Sequence, residues 1–278
     1  MIDTPGGRRP AAPVQPIQDE RLHTAGSGAL GGRRSPYTTA AALSARPVTD
    51  LLYVVAAAVL AVALSHIPVL DVVIYPFKLF SVYAHEWSHA LVTIATGGHV
   101  VALRINPDLS GEEYSAGGWG LAISSAGYLG AAGAGALLLL APLRRAKRTL
   151  VAIGATVAAL PVAGTLLQGA TFTLTTWFWT AVFAAVTLVV GRRGTRRLAG
   201  LFQQFLAVEL CLTALDSLRS LDWLAINAPG VMTDATNAGG ATHLPAIVWA
   251  VLWSVIGVAI VGLAGLRLVM FSVKAIKL

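Results

Sequence analysis

Apolar residues gather in long blocks along the chain, at roughly 51–67, 77–97, 118–142, 149–167, 172–190, 198–224 and 244–270. Runs of about 17 to 25 apolar residues fit helices that cross hydrocarbon, whereas a membrane barrel would alternate in shorter segments. The pattern predicts an all-α integral membrane protein, a polytopic bundle of about six to seven transmembrane helices. Between the second and third blocks, residues 98–117 carry Asp108, Glu112 and Glu113 and are broken by Asn106-Pro107, Gly111 and Gly117-Gly118. This connector reads as a hairpin-like, re-entrant loop, which a membrane tolerates where protein or a water-filled cavity covers the backbone.

Residues 1–46 are rich in Pro, Gly, Ala and Arg and hold no apolar core of secretory-signal length. They are expected to be a disordered tail ahead of one membrane-embedded domain, 47–278. Composition agrees with the pattern: 56% of residues are hydrophobic and 12% charged, and mean hydropathy is +0.71. A soluble domain would carry about 25% charged residues.

The net charge of +7 would suggest nucleic acid in a soluble protein, but here the basic residues are bunched between apolar blocks. Arg144, Arg145, Lys147 and Arg148 form one cluster, Arg192, Arg193, Arg196 and Arg197 another, and Lys274 and Lys277 close the chain. They read as topology signals that hold these segments in the cytoplasm, so no nucleic-acid partner is expected. Three full crossings before Arg144 would conflict with a cytoplasmic tail. Either the tail is external, despite Arg33, Arg34 and Arg46, or one early segment does not cross. The lone Cys211 excludes an intrachain disulfide and reads as a small buried hydrophobe.

Candidate chemistry lies in the second block, in Ser81-Val82-Tyr83-Ala84-His85-Glu86-Trp87-Ser88-His89-Ala90-Leu91-Val92. On a helix, His85 and His89 project from one face and can share one metal ion, while Glu86 beside them can reach a metal-bound water as general base. The pattern is His-Glu-x-x-His, the zincin arrangement, and ionisable groups inside an apolar helix point to function. Neutral core histidines with Glu86 paired elsewhere are the structural alternative. A catalytic zinc needs a third protein ligand, and the candidates are Asp216, Asp222, Asp234, Glu209, His66, His99 and His243. Asp216, Arg219 and Asp222, spaced by three, can neutralise one another on a helix. Asp234 has no such neighbour, although an N-cap role competes for it. His66 and His243 flank apolar blocks as interfacial groups, and His99 closes the motif helix.

These residues resemble the site-2 proteases, membrane-embedded zinc metallopeptidases, and in particular their minimal bacterial and actinobacterial members. The resemblance is carried by His85-Glu86-Trp87-Ser88-His89-Ala90, Gly97-Gly98, the connector with Asn106-Pro107 and Gly111, Ala126-Gly127-Tyr128-Leu129-Gly130, and Thr233-Asp234-Ala235 ahead of the last block. It covers about residues 80–270. The family usually places its third ligand in a Leu-Asp-Gly motif, and this sequence has no Asp-Gly pair; by analogy of position at a helix start, Asp234 takes that role. The resemblance implies Zn²⁺ on His85, His89 and Asp234, with Glu86 as the catalytic base. It further implies a transmembrane or membrane-associated protein substrate, and a multi-pass place in a cell membrane, the bacterial plasma membrane. The competing reading is an inactive membrane scaffold or transporter-like protein that retains a metal-binding motif.

Overall fold

The structure, a computed structural model, describes residues 36–168 and 171–276. The chain divides into Met1–Leu43 and a compact unit, Ser44–Leu278. The first holds, among the described residues, only the opening turns of a helix, and everything below concerns the second. Residues 1–35 of the expected tail lie outside the described residues.

The order of elements is α1 (Pro36–His66), α2 (Asp71–Ala95), β1 (His99–Ile105), β2 (Gly111–Ala116), α3 (Gly120–Leu140), α4 (Ala146–Gln168), β3 (Thr171–Phe172), α5 (Leu174–Arg193), α6 (Arg196–Asn227), α7 (Asp234–Thr242) and α8 (Ala246–Ile276). Five helices among the described residues, α3, α4, α5, α6 and α8, are long and apolar enough to cross a membrane. Threonine hydroxyls start several of them. Thr173 accepts from the Thr176 amide at α5, and Thr195 from the Leu198 amide at α6. Each such cap satisfies an otherwise orphaned amide and contributes about 1 kcal/mol.

Helix α6 runs through the centre and packs against α3. Gly135 of α3 has Cys211 so close that an added β-carbon would lie 2.7 Å from its sulfur. Cys211 is thus the small buried hydrophobe expected of it, filling the space a glycine leaves. Gln203 donates to the Ala141 carbonyl at 3.0 Å and Gln204 to the Leu139 carbonyl at 3.3 Å. The two amides thereby satisfy carbonyls at the end of α3 that have no partner within the helix. On the other side of α6, Phe77 of α2 meets Phe183, Phe202 and Phe205 edge-on, with ring centroids 5.0–6.0 Å apart.

The apolar part of α1, Leu51–Ser65, is shorter than the five spans. The Tyr53 ring lies against Gly200, one turn past Arg196 and Arg197, so this part of α1 sits at the basic face. Helix α2 ends where the Thr96 hydroxyl accepts from the Trp119 amide, at the end of α3 opposite Arg144. Helix α3 then runs from that end back to the one beside Arg144 and Arg145.

The connector after α2 is a β-hairpin folded back along that helix. Strands β1 and β2 pair antiparallel with Arg104 opposite Glu112 and Ile105 opposite Gly111, and β3 joins β1 in parallel to give the order β2-β1-β3. Val100, Leu103 and Ile105 are buried, which is the β-branched, apolar content that holds β1 against the bundle. At the tip, Ser110 donates to Asp108 through its amide at 3.0 Å and its hydroxyl at 2.6 Å, and these bonds hold the Asp108 carboxyl below its usual range. Tyr75 of α2 donates to the Pro107 carbonyl at 2.8 Å and pins the tip.

Candidate metal centre

Helix α2 carries His85, Glu86, His89 and Thr93 along one face, the last three buried. His89 Nδ1 lies 2.6 Å from the Ile123 carbonyl of α3. A carbonyl only accepts, so Nδ1 carries the proton and Nε2 keeps a free lone pair. The ring of His85 is met at right angles by Tyr128, centroids 4.6 Å apart, and Tyr128 is stacked in turn on Trp253 of α8. Both imidazoles are thus oriented by α3, one through a hydrogen bond and one through an aromatic edge.

Asp234 reaches the same point from the far end of the chain. Its Oδ2 lies 3.5 Å from His85 Nε2 and 3.4 Å from His89 Nε2. Zinc–ligand bonds of about 2.1 Å at tetrahedral angles set ligand atoms about 3.4 Å apart, so both spacings suit one zinc ion. A β-carbon at Gly127 would collide with both Nε2 atoms. The glycine of α3 leaves open the space between the imidazoles that an ion would fill. His85, His89 and Asp234 form a group able to hold a metal.

The N-cap alternative for Asp234 is corrected by the structure. Thr233 is the N-cap of α7: its hydroxyl accepts from the Thr236 amide at 3.3 Å, and Thr236 Oγ1 accepts from the Thr233 amide at 2.8 Å. Asp234 is the first helical residue, with its carboxylate free for other work. Helix α7 packs chiefly on α3 and α8, and the Trp249 indole donates to Thr242 at its far end at 2.9 Å.

Glu86 is 5% exposed and, among the described residues, makes no hydrogen bond. Its carboxylate packs against Gly111 of β2, where any β-carbon would overlap it. It faces a cavity of about 1030 Å³ whose lining also includes Glu113, Tyr128, Asp216, Met232 and Asn237.

The remaining ligand candidates are not brought to the centre. Asp216 is exposed and lies 3.9 Å from Arg219. Asp222, expected to share that arginine, instead accepts from Ser254 of α8 at 2.8 Å, because the helix turns it toward α8. Glu209 is buried within α6, and His99 and His243 are exposed; the side chain of His66 lies outside the described residues. The contribution of Ile123 had no signal in the sequence, and Gly111 and Glu113 stood out there only as connector residues, since each contact depends on where α3 and the hairpin fold.

No curated protein and no solved structure matches the chain. The model of the Peptidase M50B-like family matches residues 52–264, a stretch that contains α2, the hairpin, Asp234 and most of α8. The chain therefore belongs to the Peptidase M50B-like family of site-2 proteases, and its function is that of a membrane metallopeptidase.

Proposed function

We propose that the protein is an intramembrane zinc endopeptidase that hydrolyses a peptide bond in a membrane-spanning or membrane-associated protein substrate. The observation that carries this reading is the convergence of His85, His89 and Asp234 on one point, with the unpaired Glu86 carboxylate beside it at the wall of a large cavity. The donor set of two imidazoles and one carboxylate suits zinc and leaves a fourth position open. Bound there, zinc would supply Lewis acidity and a water acidic enough to ionise near neutral pH.

Glu86 accepts the proton as the water oxygen adds to the peptide carbonyl, and delivers it to the amine as the C–N bond breaks. Burial without hydrogen-bond partners leaves that carboxylate free for the transfer. The protonated Nδ1 of His89, held by the Ile123 carbonyl, keeps its ring in the ligating orientation. A substrate helix must unwind locally to present its carbonyl, since helical carbonyls are closed off by their own hydrogen bonds.

The test is a Glu86→Gln variant. It should retain about one zinc per chain and the wild-type fold while losing a factor of about 10² to 10⁴ in hydrolysis. Single-span membrane proteins co-expressed with either form are scored for a product whose new terminus maps within the membrane. A substrate cut equally by both forms would remove Glu86 from the mechanism.

A further inference from the structure

The cavity over the centre is charged in one sense. Among the described residues its lining includes Glu86, Glu112, Glu113, Asp216 and Asp234 and no Lys or Arg, in a chain whose net charge is +7. Two of these carboxylates, Glu86 and Asp234, belong to the centre. Asp216 has Arg219 nearby. Glu112 accepts from the Tyr114 hydroxyl at 2.9 Å, and Arg104, paired with it across the hairpin, lies 5.7 Å over the Tyr114 ring. Glu113 differs from all of them. It stands on the opposite face of β2 from that arginine, turned toward α2, and its carboxylate is held by hydroxyls and not by a cation: its Oε1 accepts a 3.2 Å bond from the buried Thr93 hydroxyl, and Ser115 also donates to it.

Its position relative to the reaction follows from the strand. Gly111 touches the Glu86 carboxylate, and residues 111 and 113 point to the same side of β2, about 6.6 Å apart along it. A peptide lying extended advances about 3.3 Å per residue, so Glu113 faces a side chain two residues from the bond presented to Glu86. We propose that Glu113 is a specificity-determining residue that receives a Lys or Arg side chain of the substrate two positions from the scissile bond.

This rests on the endopeptidase reading for its register, and it has independent physical grounds. Burial raises the Glu113 carboxyl above its ordinary range, a penalty that a cation from the substrate would relieve. In the partly enclosed cavity a charge-assisted bond discriminates strongly, because a neutral substrate residue leaves the desolvated carboxylate without a counter-charge.

Binding, read without turnover, separates this proposal from the hydrolytic one. The full chain carrying Glu86→Gln is reconstituted in micelles with fluorescent single-span peptides. These are identical except for Arg, Gln or Glu placed two residues to either side of a central helix-breaking pair. The Arg peptide should bind about tenfold more tightly than the Gln peptide, and the Glu peptide most weakly. Adding Glu113→Gln should erase the preference, and adding Glu113→Lys should reverse it in favour of the Glu peptide. Equal binding of Arg and Gln peptides to the Glu113 form, or a preference that survives both substitutions, would overturn the proposal. Absence of Glu86-dependent cleavage would remove the hydrolytic reading and leave this charge preference standing.

Discussion

Substituting Gly127 by Ala probes the centre without replacing any proposed ligand. The added methyl would overlap both Nε2 atoms and sit 2.6 Å from Cδ2 of His85, where carbon contacts are comfortable at about 3.5 to 4.0 Å. Helix α3 cannot simply retreat, because Gly130 is pressed against Ser88 and Gly135 against Cys211. The imidazoles must move instead. Overpacking of this kind costs about 1 to 3 kcal/mol, and if it is borne by rings leaving their ligating positions, zinc should bind about 5- to 150-fold more weakly. Gly133 of the same helix has nothing within 4 Å of an added β-carbon. Gly133→Ala should therefore leave zinc affinity unchanged and gain up to about 1 kcal/mol of helix propensity. The assay is zinc retained per chain after equilibration with a graded chelator, with helicity measured alongside. If Gly127→Ala holds zinc as tightly as Gly133→Ala, the ion does not sit between these two histidines.

Further outcomes follow from the same geometry. Asp234→Ala should weaken zinc binding by more than about a hundredfold, beyond the usual effect of losing an outer partner, while Asp216→Ala should leave it intact; the reverse result in a zinc titration would transfer the ligand role. Thr233→Val should remove the cap of α7, costing about 1 kcal/mol, and lower zinc affinity because Asp234 is the next residue. Thr195→Val, which removes a similar cap from α6 far from the centre, should leave zinc affinity unchanged in the same titration. In a Cys211→Ser background, an impermeant thiol reagent applied to intact cells should label a cysteine at position 232 and spare cysteines at 146 and 194. Labelling at 146 or 194 would invert the arrangement.

The part of the candidate centre that lies on α2 was legible because it is local. His85, Glu86 and His89 lie within two turns of one helix, and spacing by four needs no knowledge of tertiary structure. Asp234 is almost 150 residues away, and nothing in its neighbourhood distinguishes a ligand from a cap. The deciding fact is that Thr233 takes the cap. The connector reads as hairpin-like from Asn106-Pro107, Gly111 and Gly117-Gly118, and β1 and β2 do pair so, while the pairing of β1 with β3 depends on a segment about 65 residues further on. The number of crossings was ambiguous for a related reason. Hydropathy counts apolar blocks, but which end of the bundle a block lies at depends on contacts such as Tyr53 with Gly200. Asp222 shows the opposite failure, a plausible local ion pair that loses to a hydroxyl on another helix.

Helix α7 is held mainly by α3 and α8 and hardly by α6, the helix that precedes it. A ribosome feeding this chain into a bilayer delivers the two histidines early and the acidic residue late, and even then only α3 stands ready to receive α7 until the last span arrives to provide the other half of its seat, with Trp249 and Trp253. The group that could hold a metal is thus incomplete for most of the chain's synthesis, and its closing residue arrives with the last two helices.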